Sequence, residues 1–138
     1  MSELKAGDKA PSFSGRDQNG NLISLSHFKG KKLVIYFYPK DNTPGCTAEA
    51  CNLRDNYPEL KSKGYEIIGV SADSEKSHQS FISKFSLPFP LISDIEKKII
   101  KDYQVWGEKK MYGKAYEGII RKTSVISENG IIEKIIRR

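Results

Sequence analysis

The chain has 138 residues, 38% of them apolar and 29% charged, which is the size and composition of one soluble domain whose core needs no disulfide staples. Two cysteines are too few for a disulfide scaffold or a zinc finger, and no apolar run is long enough to span a bilayer. The net charge of +6, from 23 basic and 17 acidic residues, is spread along the chain without interleaved aromatic residues, so a solvated surface is expected rather than a nucleic-acid interface.

The N-terminus, Met1-Ser2-Glu3-Leu4-Lys5, carries no apolar signal region, and a cytoplasmic location is expected. Asp17-Gln18-Asn19-Gly20-Asn21 reads as the turn of an N-terminal β-hairpin between residues 13–16 and 22–25. Residues 33–38 are an unbroken β-branched and aromatic run, the pattern of a strand buried on both faces. Residues 47–61 place Ala50, Leu53, Tyr57 and Leu60 at near-helical spacing. A second buried strand is predicted at 65–71. Ser74 opens a helix that leads to Phe81, Ile82 and Phe85. A third helix over 94–103 would put Ile95, Ile99, Ile100 and Tyr103 on one face. Residues 123–127 and 131–136 flank Glu128-Asn129-Gly130, a hairpin turn. This order predicts one α/β domain over residues 1–138, with a central mixed β-sheet flanked by helices.

Both cysteines fall in one stretch that leaves the first buried strand and enters a helix: Pro39-Lys40-Asp41-Asn42-Thr43-Pro44-Gly45-Cys46-Thr47-Ala48-Glu49-Ala50-Cys51. Thr43 suits the cap of that helix and Pro44 its first position. Cys46 then sits in the first turn, where free amides and the macrodipole favour an anion, here a nucleophilic thiolate. The plainer alternative is a buried structural cysteine. Cys51 is five residues on, so at about 100° per residue its side chain points roughly 140° away from that of Cys46. A disulfide needs Cα atoms within about 7 Å and converging Cβ vectors. The pair therefore cycles through a disulfide only if the first turns unwind; otherwise Cys51 is an inert thiol on a helix face. Metal binding by the pair would need His27 or His78, neither of which has ligand spacing, and no metal is expected.

The string Pro39-x3-Thr43-x2-Cys46 resembles the active-site signature of the peroxiredoxins, and Asp41 through Cys51 is similar to the bacterioferritin-comigratory, or PrxQ, subfamily. Ala10-Pro11-Ser12-Phe13, Gly69-Val70-Ser71-x-Asp73-Ser74, His78-x2-Phe81, the segment Leu87 to Asp94, Tyr112-Gly113-Lys114 and Arg121-x-Thr123 extend the likeness along nearly the whole chain. The resemblance implies a thioredoxin-like fold and a cofactor-free peroxidase acting on hydrogen peroxide and organic hydroperoxides. In that scheme Cys46 is the peroxidatic nucleophile. Thr43 contacts thiolate and peroxide, Arg121 stabilises both, and the amides of Gly45 and Cys46 add donors. Pro39 shields the pocket, and Glu49 orients Arg121. Cys51 corresponds to a resolving cysteine that closes an intramolecular disulfide, with thioredoxin or a similar dithiol as the reductant.

The sequence departs from the family in two places. Ser124 and Ser127 stand where an aromatic residue and an aspartate are usual, and no C-terminal helix follows before Arg138. Ile131, Ile132, Ile135 and Ile136 are then expected to form an uncovered apolar face; a monomer is expected, with a dimer through that face as the variant. Two other functions fit parts of the pattern. A thiol-disulfide oxidoreductase on the same fold usually carries Cys-x2-Cys, and four intervening residues count against it. A basic, non-enzymatic interaction module would leave both thiols incidental.

Overall fold

The structure is a computed structural model and describes residues 3–111 and 113–137. Strands β1 (Ser14–Arg16) and β2 (Leu22–Ser24) form the expected N-terminal hairpin. Asp17 closes its turn, accepting the amides of Asn19 and Asn21 at 2.9 Å each. A 3-10 turn, Leu25–Phe28, leads to β3 (Lys32–Phe37), then α1 (Pro44–Ser62), β4 (Tyr65–Ser71) and α2 (Glu75–Phe85). There follow β5 (Leu91–Ser93), α3 (Lys98–Asp102), β6 (Trp106–Met111), β7 (Lys114–Ile119), β8 (Lys122–Ile126) and β9 (Ile132–Arg137). Seven strands make one mixed sheet in the order β2-β1-β5-β4-β3-β8-β9, and β6 and β7 pair separately. Strand β4 runs parallel to β3 and β5, whereas β8 runs antiparallel to β3.

Both faces of the sheet are covered. Strand β3 alternates Leu33, Ile35 and Phe37 into one core and Val34 and Tyr36 into the other. The first core is closed by Phe13, Ile99, Ile100, Tyr103 and Val105. The second lies under α1 and α2, which contribute Cys46, Ala50 and Phe81 with Leu53, Tyr57 and Leu60 at its margin. Continuous apolarity in β3 and β4 thus follows from burial on two sides.

Three sequence expectations are corrected. The helix predicted over 94–103 is only Lys98–Asp102, because Asp94 turns the chain and Lys97 takes a left-handed φ of 63°; Ile95 is left 59% exposed rather than on the helix's apolar face. Strand β5 and the β6–β7 hairpin are additional elements. The predicted apolar face at the C-terminal end is partly covered: Ile132 is 1% exposed, Ile135 packs on the first cluster and Ile136 is half-buried, leaving Ile131 at 37%. The reason is the N-terminal segment, which lies along the start of β9. Gly7 N donates to the Ile132 carbonyl (2.8 Å), Ile132 N to the Asp8 carbonyl (2.9 Å) and Ala10 N to the Gly130 carbonyl (2.9 Å). Of the Tyr112-Gly113-Lys114 motif, Tyr112 lies outside the described residues, as does Arg138; Gly113 turns with φ 77° into β7.

Candidate active site

The topology brings three distant segments to one end of the sheet. Strand β3 ends where β8 begins, with Phe37 opposite Lys122. Arg121, one residue before β8, therefore stands beside the loop that carries the chain from β3 into α1. That helix opens with Pro44 in its first turn, and its first ladder bond runs from Thr47 N to the Thr43 carbonyl at 2.8 Å. The amides of Gly45 and Cys46 lie ahead of that ladder, at the positive end of a helix of 19 residues.

Cys46 is 1% exposed and free. Its sulfur accepts a hydrogen bond from Arg121 Nη2 at 3.2 Å, while Arg121 Nη1 donates to Glu49 Oε1 at 3.0 Å. Glu49 is three residues beyond Cys46 and so shares its helix face. One guanidinium spans both groups with two different nitrogens. Burial alone would lower the pKa of Arg121, but the Cys46 sulfur and the Glu49 carboxylate outweigh it and raise the group above its ordinary value. Gly45 allows the approach: a Cβ there would stand 3.3 Å from Arg121 Nη2. Beneath the helix, burial, and after it Glu49, Asp41 and the two cysteines, hold the Tyr36 phenol well above its usual range, so it stays protonated.

The remaining sequence candidates are close by but placed differently. Pro39 is half-buried in the loop after β3. Thr43 has the extended backbone of a cap, but its hydroxyl does not cap the helix; it donates to the Lys40 carbonyl at 3.0 Å. No bond joins it to Cys46 among the described residues, in contrast to the contact that the resemblance implies. Cys51 is free and half-buried on the same unbroken helix. Five residues of helix rise about 7.5 Å, so the two thiols are kept apart while α1 is intact. Sequence reasoning missed a buried network around Asp41 and His78, which are 37 residues apart and share no spacing signal.

Asp41, Asp73 and His78 are also the one cluster of potential ligand groups among the described residues, with atoms within 4.8 Å of one another. They are bonded to each other, to serine and tyrosine hydroxyls and to backbone groups, a closed hydrogen-bond network rather than an open ligand set. No helix among the described residues is long and apolar enough to cross a membrane.

A thioredoxin-like sheet bearing a buried thiol at a helix N-terminus, clasped by an arginine, defines the thiol-dependent peroxidases as a class. The AhpC/TSA family profile matches residues 6–135. Peroxiredoxin Bcp of Escherichia coli strain K12 is 45% identical over 135 residues, covering 98% of this chain and 86% of that protein. Among solved structures, a cysteine-to-serine mutant of PrxQ from Xylella fastidiosa superposes with a TM-score of 0.92 at 34% identity, over 99% of this chain and 87% of that one. The bacterioferritin comigratory protein of Xanthomonas campestris, described for its alkyl peroxide reduction activity, gives 0.85 at 40% identity over 91% and 80%. The chain belongs to the AhpC/TSA family, among the Bcp/PrxQ peroxiredoxins, and is a peroxidase that turns over with a thiol reductant.

Proposed function

We propose that residues 1–138 work as one domain in which Cys46 is the peroxidatic thiol, Cys51 resolves it, and a thioredoxin-like dithiol in a reducing cytoplasm restores both. The observation that carries this reading is the Arg121 guanidinium bridging the Cys46 sulfur and Glu49. The Cys46 thiolate attacks one peroxide oxygen. The O–O bond breaks, and the departing oxygen takes a proton and leaves as water or an alcohol, while sulfur is oxidised to sulfenic acid. Negative charge develops on the departing oxygen. Arg121 and the free amides of Gly45 and Cys46 are donors already in place for it, with no reorganisation at the moment of reaction. Glu49 holds the guanidinium beside the thiol, and Pro39 keeps water from the sulfenic acid.

Hydrogen peroxide and organic hydroperoxides are the proposed substrates, the latter supported by the activity described for the Xanthomonas protein. The Cys51 thiol then displaces water from the sulfenic acid to form a Cys46–Cys51 disulfide, which the dithiol reduces by exchange. Intact mass measurement after one equivalent of peroxide tests the scheme. Wild type should lose two hydrogens, Cys51→Ser should gain one oxygen, and Cys46→Ser should stay unchanged. Peroxide consumption by Cys46→Ser at the wild-type rate would refute it.

A further inference from the structure

Behind the loop between β3 and α1 lies a buried polar cluster that the peroxide chemistry above does not use. Asp41 and His78 are both buried. His78 Nε2 lies 3.0 Å from the Ile92 carbonyl oxygen, and its Nδ1 lies 2.7 Å from Asp41 Oδ2. The Tyr38 hydroxyl donates to Asp41 Oδ1 at 2.6 Å and the Ser77 hydroxyl donates to Oδ2 at 2.8 Å. The Asp41 amide donates to Asp73 Oδ2 at 2.8 Å, an oxygen that also accepts from the Ser71 hydroxyl at 2.7 Å. Tyr38 from the residue after β3, Ser77 from α2 and Asp73 from the β4–α2 connection thus surround the pair.

A donor count fixes what this geometry requires. A carbonyl oxygen only accepts, so His78 carries its hydrogen on Nε2. The link from Nδ1 to Asp41 then needs one further proton, held in common by imidazole and carboxyl, because a bare ring nitrogen facing a carboxylate at that distance would repel it. The pair is closed only with that shared proton. Tyr38 keeps its own hydrogen for Asp41, since burial, and after it Tyr36 and Asp41, hold its phenol well above the ordinary range.

We propose that Asp41 and His78 are a positioning pair for the peroxidatic loop. The shared proton ties Asp41 to α2 through His78 and, through the far side of the ring, to β5. Asp41 is bonded in sequence to Lys40, whose carbonyl takes the Thr43 hydroxyl, and the Thr43 carbonyl takes the first bond of α1. The pair therefore sets where the first turn of α1 begins, and with it the place of the Cys46 sulfur beneath Arg121. This inference rests on Cys46 being the reacting thiol.

Three variants and one spectroscopic signature test it. Asp41→Ala should lower the second-order rate of Cys46 oxidation by hydrogen peroxide on the order of ten- to a hundredfold, as expected for a misplaced nucleophile. It should also speed amide exchange over residues 39–47 and leave β8 and β9 unchanged. Asp41→Asn should restore most of the rate. Its amide can donate to both His78 Nδ1 and Ser77 Oγ, with a neutral ring that keeps its hydrogen on Nε2. In wild type, nitrogen-15 labelled histidine should show a far-downfield proton shared at Nδ1, which both Asp41 variants lose. Should Asp41→Ala fail to fold, Ser77→Ala, which removes one donor to Asp41, should still slow oxidation a few-fold. A folded Asp41→Ala or Ser77→Ala with the wild-type rate, an Asp41→Asn as slow as the alanine variant, or a wild type without the shared proton would each overturn the proposal. Wild type whose Cys46 is not oxidised at all would instead sink the functional reading beneath it.

Discussion

At the scale of single residues, Arg121 decides the site because it does two things with one rigid group. Its two terminal nitrogens face Cys46 and Glu49 at 3.2 and 3.0 Å. A lysine has one nitrogen on a flexible stem and reproduces the charge without the fork. Arg121→Lys is therefore expected to keep the fold and lose on the order of ten- to a hundredfold in the second-order rate constant with peroxide, measured by stopped-flow loss of protein fluorescence or by competition with a second peroxidase. Arg121→Ala should lose at least as much rate. It should also lower the melting temperature, because it leaves the buried Glu49 carboxylate without its partner. Equal rate constants for wild type and Arg121→Lys would mean that charge alone matters and the fork does not.

At the scale of elements, the turn before α3 separates what the sequence made legible from what it did not. The apolar spacing of Ile95, Ile99, Ile100 and Tyr103 is helical, yet the helix begins only at Lys98. Asp94 accepts the Ile100 amide at 2.8 Å, and its own amide donates to the Ser71 carbonyl at 2.8 Å. A side-chain bond to backbone thus overrides periodicity over the first four residues. Asp94→Ala should cost about 0.5–2 kcal/mol of stability, in line with loss of a capping residue, measured by urea unfolding. Asp94→Asn should cost less: burial raises this carboxyl, so its charged form opposes folding at neutral pH, and the amide oxygen still accepts one amide. The long buried strands β3 and β4, the start of α1 at Thr43-Pro44 and the Ser74 cap of α2 were legible because burial on both faces and turn chemistry leave marks in the residues themselves. Strand β5 has three residues, too few for a period. The β6–β7 hairpin scatters Trp106, Ala115, Tyr116 and Ile119 among charged residues and glycines and is exposed along most of β7, so it shows no regular alternation. The site segment was legible in Cys46, Glu49 and Arg121, whereas the Thr43 hydroxyl and the Asp41–His78 network depend on how distant backbone is brought together.

At the scale of the whole molecule, two cores on opposite faces divide the labour. Leu33, Ile35, Phe37, Ile68, Val70 and Ile92 anchor one face without touching the thiol, while Cys46 and Ala50 belong to the other, under α1. Packing on that second face is close. At Gly69 in β4, a Cβ would stand 2.6 Å from Leu91 Cδ2 and 2.8 Å from Tyr36 Cζ. Gly69→Ala should therefore cost about 1–3 kcal/mol, measured by the shift of the urea midpoint. In the proposed scheme oxidation acts on this same face. A Cys46–Cys51 disulfide cannot form on intact α1, so its first turns must open. Opening exposes the buried Cys46 and Ala50 and separates the buried Glu49 carboxylate from the partly exposed Arg121 guanidinium, so packing and an ion pair are lost together. Closing so short a covalent loop returns only about 2 kcal/mol through the unfolded chain. The oxidised protein should accordingly melt at a lower temperature than the reduced one. Its faster amide exchange should be confined to roughly residues 43–55, while β3, β4 and β8, held by the opposite core, stay protected. Calorimetry of both redox forms with exchange mass spectrometry checks this. An oxidised form with α1 fully protected would exclude opening of the helix and point to a disulfide between two chains.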